Sequence, residues 1–566
     1  MMTQRMLSSV AFVALVCGLT GGRPASAAAP DHAFPPVDAA AIRHWQENRF
    51  GMFIHWGPVS LTAKEIGWSR GAETPVEVYD NLYRRFNPTN FNADEWAALA
   101  REAGMKYVVL TTKHHDGFCL WDTKQTDFNI MHSPFGRDVV KELSAACRRR
   151  GVDFGTYYSV CDWHHPDFPL TSPGGSVKRL KSDLDAYNRY FLAQVSELIT
   201  NYGPLVTMWN DVPQHFEGRG VNTIKLARRL QPGITINDRT GDGGDYSTPE
   251  QRIGGFDLDR PWESCMTVSA HNQWAWGGAD DGVKPLAACL RMLVSGAGGD
   301  GNVLLNVGPR PDGVIDPAQA GLLREIGAWL KQYGETIYAT RGGPFKPGKW
   351  GASTRKGSRI YLHVYAFQGD ELHLPAIGAK VLAANALTGG SAAWTQDAGG
   401  IVVRLPAASH QPVDTVVALD VDRPAMEIAP VAVGRFGGSL TKGAKVNASN
   451  VCRNRPEYAP GKAVDDDLET RWATDAGLHQ AWIELDLGEP RTFSSLALHE
   501  WAGDPERIQK FEVRIKDGGE WTTLLTGGTM GPDFHRSFPP TTARFVRLNI
   551  LDAKDGPTID EIELLK

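Results

Sequence analysis

The feature that most constrains this chain is the alternation of strand-like and helix-like segments between about residues 40 and 340. Such alternation predicts parallel βα units. Short apolar runs predict strands over residues 51–55, 107–111, 154–159, 206–209, 235–237 and 303–306. Amphipathic patterns predict helices over residues 93–103, 137–150, 181–200, 285–295 and 317–333, with Asn92 as a helix cap. No glycine-rich phosphate-binding sequence follows the first strand, so the pattern favours an α/β fold of the (β/α)8-like barrel type.

Polar and titratable side chains follow these strands where each one ends. In a parallel barrel the C-terminal strand ends meet at one face, so we expect these groups to form one site. The set contains His55, His114, His115, Tyr157, Trp209, Asp211 and Arg239, with Glu250 and Glu263 in later loops. Carboxylates among uncharged hydrogen-bonding groups and tryptophans are typical of glycosidic bond cleavage, in which one carboxylate stabilises the anomeric carbon and another moves a proton.

Bulk properties limit the classes of partner. The length of 566 residues is enough for two to four domains. The net charge of -6 gives no reason to expect nucleic acid or an anionic membrane, and 17 tryptophans favour a carbohydrate ligand. After residue 342 the pattern changes to short alternating strands. We predict a barrel domain over 28–342, a β-sandwich over 343–424 and a second all-β sandwich over 425–566.

The first 27 residues have the pattern of a secretory signal peptide, with Arg5, a short apolar segment and a small-residue cleavage site before Ala28. We therefore expect an exported protein, periplasmic or secreted, without a membrane span. The six cysteines beyond this segment form no CxxC pair or zinc-like cluster. Buried free thiols are the main expectation, with a disulfide as the alternative. The sequence does not indicate an oligomeric state.

Five segments together resemble a known family. Residues 50–57, 107–120 (YVVLTTKHHDGFCL), 154–159, 209–211 and 301–309 (GNVLLNVGP), in this order, are similar to the α-L-fucosidases of glycoside hydrolase family 29. The resemblance implies a barrel followed by a β-sandwich, a fucosylated glycan as substrate, and a retaining double displacement without a cofactor for catalysis. It implies Asp211 as the nucleophile. The implied sugar-binding residues are His55, Glu65, Trp68, His114, His115, Tyr157, Trp209 and Arg239.

Two positions depart from that pattern or leave it open. The family often has Glu-Trp-Tyr where this chain has EIGW over residues 65–68, so the position of Trp68 differs. The acid/base varies in the family: Glu250 matches the commoner placement, and Glu263 is the rival. A retaining mechanism requires the two carboxyl groups to lie about 5–5.5 Å apart.

Alternatives to catalysis by a carboxylate pair remain at this point. His114 and His115 are adjacent, and adjacent side chains on a strand point to opposite faces, so both reach one site only if the strand bends. Together with Asp116 they have metal-ligand chemistry, but the spacing fits no zinc pattern. A non-catalytic fucose-binding lectin and an exo-glycosidase for a galactose-like sugar are the other functional alternatives.

The C-terminal block carries a second resemblance. AVDDD over 463–467, TRW over 470–472 and RFVRL over 544–548 are similar to a discoidin (factor V/VIII C-type) domain, related to carbohydrate-binding modules of family 32. The resemblance implies a candidate sugar-binding module. It also implies a candidate structural calcium site, to which Asp465, Asp466 and Asp467 would contribute oxygen ligands.

Overall fold

The computed structural model describes residues 34–170, 181–433, 439–465, 470–501, 506–532 and 534–565. The predicted signal peptide over 1–27 lies outside the described residues. Asp466 and Asp467 also lie outside them, so the structure describes only Asp465 of the candidate calcium ligands.

A curled parallel sheet forms the first domain, which confirms the predicted α/β barrel class. Its strands lie side by side in the order β5-β4-β3-β2-β1-β7-β6. They are β1 (Phe50–Ile54), β2 (Tyr107–Lys113), β3 (Asp153–Ser159), β4 (Thr207–Asp211), β5 (Thr235–Ile236), β6 (Glu263–Thr267) and β7 (Asn302–Val307). Nearly every residue of these strands is buried, as expected for strands covered on both faces.

An irregular segment closes the sheet between β5 and β6. This closing segment, residues 245–251, pairs with Asn237 beyond β5 through Tyr246 and with Cys265 of β6 through Glu250. The amide of Glu263 donates to the carbonyl oxygen of Ser247 at 2.9 Å. The closing segment thus takes the place of an eighth strand, and it carries Glu250 to the same end of the barrel as the strand ends.

Helices cover the outside of the sheet, and most have a side chain that caps the first turn. Asn92 accepts hydrogen bonds from the amides of Asp94 and Glu95, which confirms the predicted cap. The helices are α1 (Ala39–Asn48), α2 (Val76–Tyr79), α3 (Ala93–Glu102), α4 (Val139–Arg150), α5 (Leu184–Tyr202), α6 (Gly220–Leu230), α7 (Leu286–Gly298) and α8 (Pro317–Tyr333). Because β5 leads into the closing segment rather than a helix, the barrel departs from strict βα repetition.

One strand differs from the predicted set, and the prediction that Glu263 lies in a loop is wrong. Glu263 is the first residue of β6, not a loop residue. The strand sequence ESCMT contains only two apolar residues, Cys265 and Met266, so its apolar pattern is weak. Its pairing with β7, from Glu263 opposite Asn302 to Thr267 opposite Asn306, is a property of the assembled barrel.

Aromatic side chains fill the barrel interior. Trp45 of α1 is fully buried and stacks on Tyr246 with ring centroids 4.2 Å apart, so α1 closes the N-terminal end of the barrel. Phe53, Tyr157 and Trp209 lie higher in the same interior cluster. The polar site can therefore open only at the C-terminal strand ends.

Two antiparallel sheets form the second domain. They enclose one apolar core. One sheet has the order β12-β15-β10-β9-β8 and the other β11-β14-β13. The strands are β8 (Arg341–Gly342), β9 (Gly351–Lys356), β10 (Arg359–Val364), β11 (Glu371–Pro375), β12 (Val381–Ala386), β13 (Ala393–Asp397), β14 (Gly400–Arg404) and β15 (Thr415–Val421).

The third domain is also antiparallel, and its strands surround a separate core. The strand order is β17-β22-β18-β21-β19-β20, with β16 paired to β18. The strands are β16 (Lys445–Ala448), β17 (Trp472–Ala473), β18 (Ala481–Glu500), β19 (Ile508–Lys516), β20 (Thr522–Gly527), β21 (Phe534–Ala553) and β22 (Thr558–Leu565).

Buried ionic contacts join the barrel to the second domain. The Asp300 carboxylate accepts from Arg49 at 2.6 Å and from Arg341 at 2.5 Å, and it is almost fully buried. The six described cysteines are free thiols, and all but Cys452 are buried, which confirms the main expectation. Among the described residues, we find no helix with the length and apolar character that a membrane span requires.

Candidate active site

Asp211 lies at the C-terminal end of β4, with its carboxylate only 14% exposed. Oδ2 accepts from the Tyr157 hydroxyl at 2.7 Å, and Oδ1 accepts from Arg239 Nη1 at 2.8 Å. Val212, the next residue, has φ 45°, which is strained for a β-branched side chain. Its amide donates to Asp211 Oδ1 at 2.9 Å. The chain thus turns sharply at Asp211 and holds its carboxylate in one orientation.

The surroundings keep this carboxylate ionised. Burial alone would raise the pKa of the Asp211 carboxyl, but the Arg239 guanidinium and His115 hold that pKa below its usual range. The Tyr157 hydroxyl bond acts in the same direction because it stabilises the charged form. An ionised, hydrogen-bonded carboxylate at a strand end is suited to attack an electrophilic carbon.

Arg239 joins Asp211 to the second carboxylate. Its Nη1 lies 2.8 Å from Asp211 Oδ1 and 2.8 Å from Glu250 Oε2. Because both oxygens contact one nitrogen, they lie at most twice 2.8 Å, or 5.6 Å, apart. That limit agrees with the separation of about 5–5.5 Å that retaining glycosidases have. Glu250 is 42% exposed, so it faces the open side of the site.

The closing segment also fixes the rest of the Arg239 guanidinium. Arg239 Nε donates to Thr248 Oγ1 and Nη2 donates to the Thr248 carbonyl oxygen, each at 2.9 Å. Its guanidinium carbon lies 4.8 Å from the ring centroid of Trp209. Together these contacts hold the Arg239 guanidinium in one position. Thr248 was not identified from the sequence, because nothing local marks a threonine in a loop as a partner of Arg239.

His55 and His115 present a free acceptor nitrogen to the site. Asn306 donates through Nδ2 to the Trp274 carbonyl oxygen at 2.7 Å, so its Oδ1 must accept from His55 Nδ1 at 2.6 Å. The Ser159 hydroxyl donates to the Cys161 carbonyl oxygen at 2.9 Å, so His115 Nδ1 donates to Ser159 at 2.7 Å. In each neutral ring Nε2 then carries a lone pair. These assignments let both histidines accept a bond from a sugar hydroxyl.

Burial keeps these rings neutral. It lowers the pKa of His55 to about 3 and that of His115 to about 4, despite the nearby Asp211 carboxylate. Burial also lowers the pKa of His114, whose Nδ1 has no hydrogen-bond partner among the described residues. Neutral rings are required if these nitrogens accept rather than donate.

The bend that both histidines need in order to reach one site is present after β2. The strand ends at Lys113, and a turn closed by the Gly117 amide and the His114 carbonyl follows. The turn brings the His114 and His115 ring centroids within 3.9 Å of each other. His114 also stacks on Tyr157, with an interplanar angle of 8°. Both histidines therefore reach one site, which a regular strand would not allow.

Glu65 and Trp68 lie on a loop that packs against these histidines. The partly buried Glu65 carboxylate accepts from the amides of Trp274 and Ala275 at 2.8 and 3.1 Å, and burial raises its pKa. Trp68 is 44% exposed and meets the His115 ring edge-on at 5.3 Å. Despite its unusual spacing in the sequence, Trp68 reaches the rim of the site with its ring partly open to solvent.

The structure does not bring Glu263 or Trp209 to the opening of the barrel. Glu263 starts β6, opposite Asn302 at the start of β7, and it is fully buried at the N-terminal end of the barrel. Its carboxyl accepts from the Tyr107 hydroxyl and from Trp209 Nε1. Trp209 is 1% exposed and lies one layer below Asp211, where it supports Tyr157 and Arg239 from beneath.

Three further residues, which no sequence motif marks, complete the site. Asn306 orients His55, and Ser159 orients His115. Trp274 packs its ring 4.9 Å from His55 and donates its amide to Glu65. Each acts through a contact between distant parts of the chain, so no local motif could have identified it.

No metal is indicated for this site by the described residues. Within the described ranges, no group of three or more His, Cys, Asp or Glu side chains is arranged to hold a metal ion. In the third domain, Asp465 accepts from Thr470 Oγ1 at 2.9 Å and lies 3.2 Å from Lys462 Nζ. The other two candidate ligands, Asp466 and Asp467, lie outside the described residues, so the calcium site stays a prediction.

The fold and the site together define a class. A parallel barrel holds an ionised carboxylate at a strand end and a second carboxylate within 5.6 Å, with neutral hydrogen-bonding rings and tryptophans around them. This is the arrangement of a glycoside hydrolase.

The comparisons identify the family. A model of the family "Alpha-L-fucosidase" matches residues 26–335, more than half of the chain, so the chain belongs to the α-L-fucosidases of glycoside hydrolase family 29. It is a fucose-releasing glycoside hydrolase. A second model, "F5/8 type C domain", matches residues 445–563, which confirms the discoidin resemblance of the third domain.

Individual relatives agree with this family. The chain is 30% identical to human plasma α-L-fucosidase over 372 residues, which cover 58% of this chain and 78% of that protein. It is 32% identical to α-L-fucosidase isoenzyme 1 of Paenibacillus thiaminolyticus, with a TM-score of 0.62 over 68% of this chain and 99% of that one. An α-L-fucosidase from Vibrio sp. strain EJY3 matches 94% of this chain and 99% of its own with a TM-score of 0.71; at 23% identity it shows a shared fold.

Glu263 should make the stability of the barrel depend on pH. Burial raises its pKa from 4.5 to about 7, so the folded chain keeps a proton over this range that the unfolded chain releases. Its stabilisation is therefore full below about pH 4.5 and is lost as the pH rises to about 7. We expect ionisation of Glu263 to lower the free energy of unfolding by on the order of 3 kcal/mol across that window. Glu263→Gln should remove this dependence of stability on pH.

Urea unfolding of the barrel at about pH 5 and about pH 8, in both proteins, measures this effect. The variant should be more stable than the parent at the higher pH, and it should still hydrolyse an aryl fucoside. An equal stability difference at both pH values would show that Glu263 is ionised in the folded state.

Proposed function

We propose that this protein is an exported exo-glycosidase that releases α-linked L-fucose from oligosaccharides or glycoconjugates with retention of configuration. The observation that carries the proposal is the single Arg239 nitrogen between Asp211 and Glu250, because it sets a carboxylate separation suited to double displacement. A covalent intermediate has been trapped with 2-fluoro-fucosyl fluoride in the family 29 α-L-fucosidase of Bacteroides thetaiotaomicron, which is 28% identical to this chain.

In the first step Asp211 attacks the anomeric carbon and the bond to the leaving oxygen breaks. Its low pKa supports this role, since the carboxylate is ionised at neutral pH. The hydrogen bonds from Tyr157 and Arg239 hold the Asp211 carboxylate in one orientation. The product of this step is a fucosyl ester on Asp211 and a free leaving group that has gained a proton.

Glu250 supplies that proton and then removes one from water. Its exposed position suits both tasks, because the leaving group departs and water arrives on the open side of the site. Water attacks the anomeric carbon of the ester, Asp211 leaves as a carboxylate, and two inversions give overall retention. The buried position of Glu263 makes it the weaker candidate for this role.

The histidines, Glu65 and the rim tryptophan form the proposed sugar pocket. His55 and His115 would accept hydrogen bonds from ring hydroxyls of the sugar. The carboxylate oxygens of Glu65 would accept hydrogen bonds from other hydroxyls of the same sugar. Trp68 offers an apolar face beside His115. A set of acceptors this rigid favours one sugar over its epimers, because an unmatched hydroxyl leaves a buried acceptor unpaired.

Asp211→Gly should remove nearly all turnover of an aryl fucoside while leaving the fold intact, because it deletes the attacking group. Added azide should restore turnover and yield fucosyl azide of inverted configuration. Asp122→Asn, which removes a surface carboxylate paired with Lys124, is the matched control and should retain full activity. Normal activity of Asp211→Gly would refute the mechanism, and a panel of other aryl glycosides would detect a galactose-like substrate.

Glu250→Ala should lower the rate on substrates with poor leaving groups about 10²–10⁴-fold, with a smaller effect on activated aryl fucosides. Azide should then give fucosyl azide of retained configuration, since it attacks the fucosyl ester on Asp211. Glu263→Ala should give no such product. If Glu263→Ala forms the azide and Glu250→Ala does not, the two roles are reversed.

Export rests on the sequence of residues 1–27. We expect the mature protein isolated from its host to begin at Ala28, as shown by N-terminal sequencing of the extracellular or periplasmic fraction. An intact Met1 on active protein would contradict this. The calcium site and a sugar-binding role of the third domain stay predictions from the discoidin resemblance.

A further inference from the structure

The loop between β6 and α7 lies beside the proposed sugar pocket. We call it the tryptophan loop, residues 269–283, because it contains two tryptophans. The Trp274 amide donates to Glu65 Oε2 at 2.8 Å, and the Ala275 amide donates to Glu65 Oε1 at 3.1 Å. The Trp274 ring packs 4.9 Å from the His55 ring. The tryptophan loop therefore helps to place two of the groups that would bind the sugar.

Lys284 directly follows the tryptophan loop, and its ammonium group lies against the start of that loop. Its Nζ donates to the carbonyl oxygens of Thr267 and Ser269 at 2.8 and 2.6 Å. It also lies 3.0 Å from Thr267 Oγ1 and 2.8 Å from Asn272 Oδ1. Because an ammonium group has three N–H donors, four acceptors at these distances use all of them.

The ammonium group of Lys284 acts on this part of the chain as a bound cation would. The four oxygens around it are uncharged carbonyl, hydroxyl and amide oxygens. The Asp281 carboxylate, which accepts from the Ser269 hydroxyl at 2.8 Å, also attracts the ammonium group. Hydrogen bonds from a charged donor are roughly twice as strong as those between neutral groups. One charged group thus joins the end of β6, the start of the tryptophan loop and Asn272.

Backbone contacts close the base of the tryptophan loop without this ammonium group. The Lys284 amide donates to the Val268 carbonyl oxygen at 2.8 Å, and Ser269 pairs with Val283 as an antiparallel bridge. A substitution of the Lys284 side chain leaves these contacts in place. The side chain therefore has a separate effect, which is to hold the part of the loop beyond its base.

The contact of this region with the two proposed catalytic carboxylates is weaker. Gln251, the residue after Glu250, has its Nε2 3.4 Å from both Thr267 Oγ1 and the Asn272 carbonyl oxygen. Glu250 itself lies 2.8 Å from Arg239, which Lys284 does not contact. Loss of the ammonium group should therefore affect sugar binding more than the chemical step.

We propose that Lys284 is a positioning residue for sugar binding, whose ammonium group holds the tryptophan loop so that the Trp274 and Ala275 amides keep Glu65 in place. This inference rests on the proposed sugar pocket. Groups that are ordered before a ligand binds lose little conformational entropy when it binds. A loop without the ammonium contacts would have to become ordered on binding, which lowers the affinity for fucose.

Inhibition by free L-fucose and steady-state kinetics on an aryl fucoside, both with the full chain, test this proposal. Lys284→Ala should raise the inhibition constant of L-fucose and KM about tenfold and change kcat less than about threefold, because it weakens binding before the chemical step. Lys284→Arg keeps the charge and should show a smaller loss. Lys124→Ala, which removes a surface lysine paired with Asp122 at 2.7 Å, is the matched control and should behave as the parent does.

Chemical rescue separates this positioning role from a general loss of structure. Lys284 is half-buried, so a small amine can reach the space that Lys284→Ala opens. Propylammonium matches the deleted atoms, and it should lower the inhibition constant of L-fucose for Lys284→Ala toward that of the parent. Tetramethylammonium carries the same charge without an N–H donor, so at equal concentration it should have no such effect.

Three results would overturn the proposal. These are an unchanged inhibition constant of L-fucose in Lys284→Ala, a loss confined to kcat, and an equal response of that variant to the two ammonium ions. Thermal unfolding checks that the barrel folds, and if Lys284→Ala does not fold, Lys284→Gln carries the inhibition measurement. A parent protein that neither hydrolyses the aryl fucoside nor binds L-fucose would instead refute the proposed function, because that result involves no variant.

Discussion

The contact on which the active site depends is the position of the Arg239 guanidinium between two carboxylates. One nitrogen contacts both Asp211 and Glu250, and Thr248 fixes the other side of the group. This single cation holds the pKa of Asp211 low and limits its distance from Glu250. Because Thr248 and Glu250 both lie on the closing segment, the irregular eighth side of the barrel determines the geometry of the chemistry.

Burial lowers the pKa of the histidines in this site and raises that of the carboxyls, and only the first effect suits the reaction. It lowers the pKa of His55 and His115 and so keeps them as neutral acceptors. For Asp211 the adjacent Arg239 outweighs burial, so the proposed nucleophile stays charged. Where no cation is present, as at Glu263, burial prevails and raises the pKa to about 7. The location of one arginine therefore separates the reactive carboxylate from the structural one.

Much of the fold could be predicted because its pattern is local. The strands predicted from apolar runs lie within a few residues of their predicted bounds, and so does the helix capped by Asn92. Strand β6 and the closing segment were missed because their positions depend on pairing with β7 and β5, not on their own sequence. Glu263 illustrates the consequence: its residue type suits an acid/base, but its register puts it at the wrong end of the barrel.

The sequence by itself determined the family, the barrel class and the position of Asp211 at a strand end, since strand ends and motif order are encoded in consecutive residues. Only the tertiary structure decided which glutamate accompanies it and which tautomers His55 and His115 adopt. Those properties depend on Arg239, Asn306 and other groups far apart in the chain. Distances between such residues arise only when the barrel closes, because closure brings separate strand ends to one face.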